Sequence, residues 1–294
     1  MLAIALAFLA DALDTRVRSE DEIEDSLGGL PLLGRIPEPS RELPARAVAM
    51  LTHPGSPYAE SIRMLRVRLG LATMGPGKRL IMVTSASARE GKSTTVANLA
   101  VALAQAGRRV VLCDLDARRA IIHKLFRLPE QPGLTDVVAG DVALENSLKT
   151  VAIASKAYWG RSDSQNGHGA GALEVLTLGR TPPDPGEFVG SQRVAEILET
   201  LRDRADVVLV DTPAMLAVGD AMTIAGIVDT VLVVVRQGGV RRSTLRELGR
   251  VLASSPARPL GFVVTGSAVA DRYEYGWYYQ DPLSLTREHE SIRE

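Results

Sequence analysis

The sequence predicts an α/β fold: a doubly wound, mostly parallel sheet covered by helices on both faces. From Arg79 onward, apolar runs of strand length alternate with amphipathic stretches of helical length. A loop of small residues ending in Gly-Lys-Ser separates the first of these runs from the first of the helices. The single cysteine, Cys113, excludes an internal disulfide, and the formal charge of -1 gives no overall basic field, so nucleic acid is not an expected partner.

The first part of the chain, residues 1–53, is predicted to form a separate lead-in. Its apolar start has about ten residues before Asp11, too few for a bilayer span, which needs roughly twenty. Two interpretations remain open: a buried amphipathic helix, or the inner end of a transmembrane helix whose first part lies outside this sequence. An acidic helix, a short strand and a proline-containing linker are expected to follow.

One doubly wound domain over residues 54–270 accounts for the alternating pattern. A helix is expected to begin at Lys92 and to end at Gly107, and Ser191 is a candidate N-cap for a later helix. The predicted strands are RLIMVTS, RVVLCDLD, LEVLTLG, DVVLVDTP, TVLVVVRQ and LGFVVTGS.

Two segments lack any pattern that would form a core. Residues 160–172 are rich in Gly, Ser and Asn and are predicted to be a loop. Residues 271–294 form a predicted flexible tail. The tail holds four of the six tyrosines of the chain: Tyr273, Tyr275, Tyr278 and Tyr279. Such a cluster can be a target of modification, or it can simply pack on a surface.

The segment VTSASAREGKSTT has the layout of a P-loop. In such loops backbone N–H groups and a helix N-terminus cradle phosphates, the lysine reaches the outer phosphates, and the following hydroxyl ligates magnesium. Ala86 stands where the motif has its first glycine, and Arg89 is bulky for a turn that favours glycine. The residues expected to bind ATP with Mg²⁺ are Ser87, Ala88, Arg89, Glu90, Gly91, Lys92, Ser93 and Thr94.

Three aspartates, Asp114, Asp116 and Asp211, follow or end predicted strands. The carboxyl ends of parallel strands converge on the ligand crevice, so these side chains should face the bound phosphates. Magnesium in such sites takes one or two carboxylates beside phosphate and water oxygens. A strand-end aspartate can also be a loop cap, but three of them beside a P-loop favour a nucleotide site.

The motifs REGKSTTVANLA, VLCDLDARRAIIHKLF, PGLTDVVAG, TPPDPGEF and VVLVDTPAMLAVGDA together resemble the bacterial tyrosine kinases of exopolysaccharide and capsule assembly. This resemblance covers nearly the whole chain and implies a P-loop NTPase of the deviant, partitioning-ATPase-like branch. It assigns metal coordination to Ser93, Asp114 and Asp211. It also implies that Lys92 neutralises charge on the transferred phosphoryl group and that Asp116 acts as base toward a tyrosine hydroxyl.

The same resemblance implies partners and a location. Neighbouring subunits are expected to phosphorylate the tail tyrosines. Glu60, Arg63 and Arg66 match an ExxRxxR pattern thought to form the oligomer interface, although such charges are more often a solvated, self-paired helix face. A membrane chain-length regulator or activator segment and a tyrosine phosphatase are the other expected partners. The expected location is the cytoplasmic face of the bacterial cell membrane.

This chain departs from the family pattern at three positions. Ala88 and Arg89 stand where relatives commonly have Pro-Gly, and Thr265 stands where many have an asparagine near the adenine. The first change can alter the loop or add a phosphate contact, and the second can weaken base recognition. Two other functions stay open: a partitioning-type ATPase, which usually carries a lysine at the position of Ser87, and a non-catalytic, ATP-dependent assembly switch or scaffold.

Overall fold

The computed structural model describes residues 15–40, 48–73, 79–153 and 171–267. These residues contain an eight-stranded sheet of order β1-β8-β7-β2-β6-β3-β5-β4. Neighbouring strands run parallel except for β4 and β5, which are antiparallel. The strands are β1 Leu32–Pro37, β2 Arg79–Ser85, β3 Arg109–Asp114, β4 Leu148–Val151, β5 Ala172–Leu176, β6 Val207–Asp211, β7 Thr230–Arg236 and β8 Arg258–Ser267.

Helices cover both faces of this sheet. They are α1 Glu20–Ser26, α2 Ala49–Thr52, α3 Pro57–Ala72, α4 Lys92–Gln105, α5 Ile122–Phe126, α6 Leu134–Ala139, α7 Leu144–Ser147, α8 Pro185–Val189, α9 Gln192–Arg204, α10 Asp220–Ala225 and α11 Arg242–Ala253. The Ser191 side chain caps α9 by accepting a hydrogen bond from the Val194 N–H. The predicted doubly wound, mostly parallel fold is confirmed.

The core lies on both sides of the sheet. In β2, Leu80 and Met82 belong to one hydrophobic cluster, whereas Ile81 and Val83 belong to the other. A parallel strand that is buried on both faces needs apolar residues at successive positions, which explains the unbroken apolar runs of the sequence. Helix α4 is buried almost all round and is rich in alanine. It therefore packs closely on the sheet, with its N-terminus at the carboxyl edge.

The lead-in joins this core. Strand β1 pairs in parallel with β8, and its residues Leu33 and Ile36 are buried. A side chain at Gly34 would come within 3.3 Å of Leu65, so α3 packs directly against β1. Residues 1–53 are predicted to be separate from the domain, whereas their segment 15–40 completes the sheet. The physical reason is that β1 pairs the backbone edge that β8 would otherwise leave open, while Leu33 and Ile36 join the core.

Some predictions concern residues outside the described ranges. These are the apolar start, most of the glycine-rich loop, the boundary at residue 270 and the tail with its four tyrosines. Within the described part of the chain, no helix is both long enough and apolar enough to cross a membrane. Cys113 is fully buried, as expected of a small hydrophobic residue.

Candidate nucleotide site

The predicted P-loop crosses the carboxyl edge of the sheet between β2 and α4. Its backbone is left-handed at Gly91, with φ 94°, and at Arg89, with φ 68°. A side chain at Gly91 would come within 3.3 Å of Thr265, so glycine suits both the conformation and the space. The loop leads directly into the N-terminus of α4, where unpaired N–H groups and the helix dipole favour an anion.

Glu90 fixes the shape of this loop from within. Its carboxylate is buried and accepts hydrogen bonds from the backbone N–H groups of Ser87 and Arg236, the latter at 3.1 Å. The Thr265 hydroxyl donates to the Glu90 carbonyl at 2.7 Å. Burial raises the pKa of Glu90 to about 7, although both hydrogen bonds and the charge of Lys92 oppose that rise. Thus Glu90 and Thr265 tie the P-loop to strands β7 and β8.

Asp114 holds the loop that follows β3. The side chain is fully buried, and one oxygen accepts the Asp116 N–H at 3.2 Å. The other oxygen accepts the N–H groups of Ile121 and Ile122 at 3.2 and 3.1 Å. Burial, followed by the nearby charge of Asp211, raises the pKa of Asp114. Both oxygens of Asp114 are therefore engaged by the backbone.

Asp211 is the register partner of Asp114 on the neighbouring strand β6. It is equally buried, yet neither of its oxygens has a hydrogen bond of normal geometry. Burial, with a smaller effect of the Asp116 charge, raises the pKa of Asp211 to about 7 against the opposing effects of the Lys92 charge, the Ser93 hydroxyl and the Thr212 N–H. These effects indicate that both P-loop side chains lie near the carboxylate, although no regular hydrogen bond is formed. A buried acceptor without a donor is costly unless a ligand satisfies it.

The donor set around Asp211 fits Mg²⁺. This ion prefers oxygen ligands and usually keeps waters while it binds one or two carboxylates and the phosphates of a substrate. The unpartnered oxygens of Asp211 and the hydroxyl of Ser93 are of this kind, whereas those of Asp114 are already engaged. Among the residues that the structure describes, no group of three or more His, Cys, Asp or Glu could hold a metal. A magnesium ion at this site would therefore depend on the hydroxyl and on substrate phosphates.

A cavity of about 910 Å³ opens over the P-loop. Its wall includes residues 88–95 of the loop and α4, together with Asp116 from the β3 loop. Asp114 and Asp211 have no exposed surface and are not among the residues that line the cavity. Residues 36–39 of the lead-in do line it, so part of the wall comes from the segment predicted to be separate from the domain.

Two arginines that line this cavity form ion pairs. Arg118 donates to the buried Asp220 at 2.9 Å, and Arg236 donates to Glu38 at 2.8 Å. Neither acid is among the site residues predicted from the sequence. Asp220 lies within the quoted motif VVLVDTPAMLAVGDA, which could have revealed it. Glu38 and Arg236 are 198 positions apart and have no local signal.

The ExxRxxR residues lie on α3, away from the P-loop. Arg63 pairs with Glu60 at 2.7 Å and also donates to the Pro54 carbonyl. Arg66 donates to the Ala102 carbonyl of α4 at 3.3 Å. These contacts are all within the chain, and the role of the three residues in an oligomer stays a prediction.

Comparison with known proteins identifies the family. The model of the CobQ/CobB/MinD/ParA nucleotide binding domain matches residues 81–272. The tyrosine-protein kinase YwqD of Bacillus subtilis is 32% identical over 233 residues, which cover 79% of this chain and 91% of YwqD. The chain belongs to the bacterial tyrosine-protein kinase family.

Other members of this family agree in sequence and in structure. The putative tyrosine-protein kinase EpsB of Ralstonia nicotianae is 30% identical, and the match covers 94% of this chain but only 36% of EpsB. The solved kinase domain of the Escherichia coli tyrosine kinase Etk superposes with a TM-score of 0.70 at 27% identity. That superposition covers 88% of this chain and 99% of the Etk domain. The resemblance deduced from the motifs is confirmed, and a partitioning-type ATPase is not favoured.

Proposed function

We propose that the chain is an ATP-dependent protein tyrosine kinase that phosphorylates its own C-terminal tyrosine cluster and regulates exopolysaccharide or capsule synthesis and export. The observation that carries this proposal is the buried, unpartnered Asp211 carboxylate beside Lys92 and Ser93. Family membership supports the reaction type, and the tyrosine-rich tail supports the acceptor.

The backbone of the P-loop residues 87–94 would bind the phosphates of ATP as substrate. Their backbone N–H groups and the N-terminus of α4 supply fixed dipoles, and Lys92 supplies a positive charge for the transferred phosphoryl group. Ser93 and Asp211 would hold Mg²⁺, which when bound neutralises charge on the outer phosphates. With this set, catalysis would rest on positioning and electrostatics rather than on covalent chemistry by the protein.

Asp116 would accept the proton of the incoming tyrosine hydroxyl. It lines the cavity with little exposure, and its own carboxylate accepts the Arg119 N–H at 3.0 Å, which fixes its orientation. Phosphoryl transfer breaks the bond from the γ-phosphorus to the leaving oxygen and forms a bond to the tyrosine oxygen. The proton passes to Asp116 and then to solvent. Asp114 would contribute indirectly, since it anchors the loop that carries Asp116.

The acceptor tyrosines in this proposal are Tyr273, Tyr275, Tyr278 and Tyr279 of a neighbouring subunit. Each phosphate adds up to about two negative charges at neutral pH, so several of them in one tail repel each other and favour its release. The proposed partners are further copies of this chain through Glu60, Arg63 and Arg66, a membrane chain-length regulator or activator segment, and a tyrosine phosphatase. The proposed location is the cytoplasmic face of the cell membrane.

The test is mass spectrometry of the purified chain after incubation with MgATP and the activator segment, beside Lys92→Met and Asp116→Asn. Phosphate on the tail tyrosines of the wild type and its loss from both variants is the expected result. ATP binding is measured separately. An unmodified wild-type tail despite ATP binding would reject the kinase and leave an ATP-dependent assembly switch.

A further inference from the structure

The nucleotide cavity is rich in arginine at its mouth. Five basic and three acidic side chains line it. Two of the arginines, Arg118 and Arg236, are neutralised by the ion pairs described above. Arg89 and Arg119 are also in its wall, and neither has an ion pair among the residues that the structure describes. The mouth thus presents two guanidinium groups that are available to an anionic partner.

Arg89 occupies an unusual backbone conformation. Its φ of 68° belongs to the left-handed region, which a residue with a side chain adopts at an energetic cost. The side chain is nevertheless exposed at the apex of the P-loop, where glycine would remove that cost. Backbone strain of this kind persists mainly at functional sites. The conformation of the loop therefore does not explain why an arginine occupies this position.

Arg119 lies next to the proposed base. Its backbone N–H donates to the Asp116 carboxylate at 3.0 Å, and this bond fixes the start of the side chain beside that carboxylate. A tyrosine that approaches Asp116 must therefore bring its neighbouring residues close to Arg119. Lys92 and the N-terminus of α4 are expected to bind the phosphates of the nucleotide. The two arginines are therefore free to bind an anionic partner at the mouth of the cavity.

The acceptor tail has the complementary charge. Asp271 and Asp281 flank its four tyrosines, and Glu274 stands between Tyr273 and Tyr275. Arg272 is the one basic residue of this stretch, so residues 271–281 carry three negative charges and one positive charge. We propose that Arg89 and Arg119 form a specificity subsite that selects tyrosines flanked by acidic residues, the tail of a second copy of this chain being one such substrate. This inference rests on the proposed kinase function and names the substrate class of the same site.

The experiment measures binding, so that it does not depend on turnover. A fluorescent peptide of residues 271–281 is titrated with the full chain in the presence of magnesium and a saturating non-hydrolysable ATP analogue. A matched peptide carries Asp271→Asn, Glu274→Gln and Asp281→Asn. The readout is the ratio of the two affinities, because competition from the tail of the protein itself lowers both alike. The affinity for the ATP analogue is measured separately.

The variants are Arg89→Gly, Arg119→Gln and the control Arg246→Gln, which removes one exposed charge from α11 outside the cavity wall. Gly suits the positive φ at residue 89, so the first variant should fold. We expect the wild type to bind the acidic peptide about ten-fold more tightly than the matched peptide. Each mouth variant should keep only about a three-fold preference, since an exposed ion pair contributes at most about five-fold in affinity. The control should keep the wild-type ratio.

Equal affinities for the two peptides in the wild type would overturn the subsite. So would an equal loss of preference in Arg246→Gln, which would indicate a general charge effect. A loss of analogue affinity in the mouth variants with an unchanged peptide ratio would assign the arginines to phosphate instead. The kinase proposal is tested apart from this, because peptide preference can be present or absent whether or not phosphate is transferred.

Discussion

Asp114 and Asp211 are the same residue type in register on neighbouring strands, yet the fold treats them differently. Asp114 accepts three backbone N–H groups, and Asp211 accepts none of normal geometry. Both are fully buried. Burial at a strand end therefore does not by itself identify a functional carboxylate. A carboxylate whose oxygens accept backbone hydrogen bonds supports a loop, whereas a carboxylate whose oxygens accept none is available to a ligand.

The largest effect should come from Asp211→Asn. A metal ligand contributes several kcal/mol of transition-state stabilisation, so we expect the phosphorylation rate to fall at least about a hundred-fold. Stability should be unchanged or higher, because the variant removes a buried carboxylate whose oxygens have no regular hydrogen bond. Initial rates with MgATP and urea unfolding of the ligand-free protein check the two parts. A large loss of stability would show that Asp211 is structural, as Asp114 is.

Asp114→Ala should have the opposite effect on stability. Three buried N–H groups would lose their acceptor, so we expect a loss of about 3 kcal/mol in the free energy of unfolding. Urea unfolding measures it, with Asp203→Ala on α9 as a control for a more exposed aspartate. If Asp114→Ala proved as stable as the wild type, the backbone hydrogen bonds of Asp114 would contribute nothing to the free energy of unfolding.

Glu90 is a third buried acid, and its carboxylate accepts two backbone hydrogen bonds as Asp114 does. Its pKa is nevertheless raised from 4.5 to about 7. Between these pH values the folded state holds a proton that the unfolded state has released, so unfolding releases a proton and rising pH favours it. We expect this group to lower the stability of the ligand-free protein by about 3 kcal/mol as the pH rises from 4.5 to about 8, since each unit of pKa difference corresponds to about 1.4 kcal/mol. The difference between wild type and Glu90→Gln in urea unfolding at several pH values isolates the contribution. A difference that did not vary with pH would contradict it.

The smallest effect should come from the partly buried pair on α3. Arg63→Gln breaks the ion pair with Glu60 and the hydrogen bond to the Pro54 carbonyl, and should cost about 1 kcal/mol, since water partly screens both contacts. Sedimentation equilibrium of the same variant tests the predicted oligomer interface. An assembly identical to that of the wild type would leave these charges as a self-paired helix face.

Most of the sheet could be predicted because each central parallel strand is an unbroken apolar run, as in RLIMVTS and TVLVVVRQ. Strand β4 could not, since its residues 148–151 are partly exposed and do not form such a run. The loop between β2 and α4 could also be predicted, since the spacing of its residues is local. The distinction between Asp114 and Asp211 and the pairing of Glu38 with Arg236 depend on segments that meet only after folding.

Transfer of phosphate from one subunit to the tail of another can be observed in a mixing experiment. A Lys92→Met chain with an intact tail is incubated with MgATP, the activator segment and an active chain whose Tyr273, Tyr275, Tyr278 and Tyr279 are phenylalanine. Mass spectrometry then locates phosphate. We expect it on the tail of the Lys92→Met chain, and only when both chains are present. A tail that stays unmodified while both chains bind ATP would contradict the account.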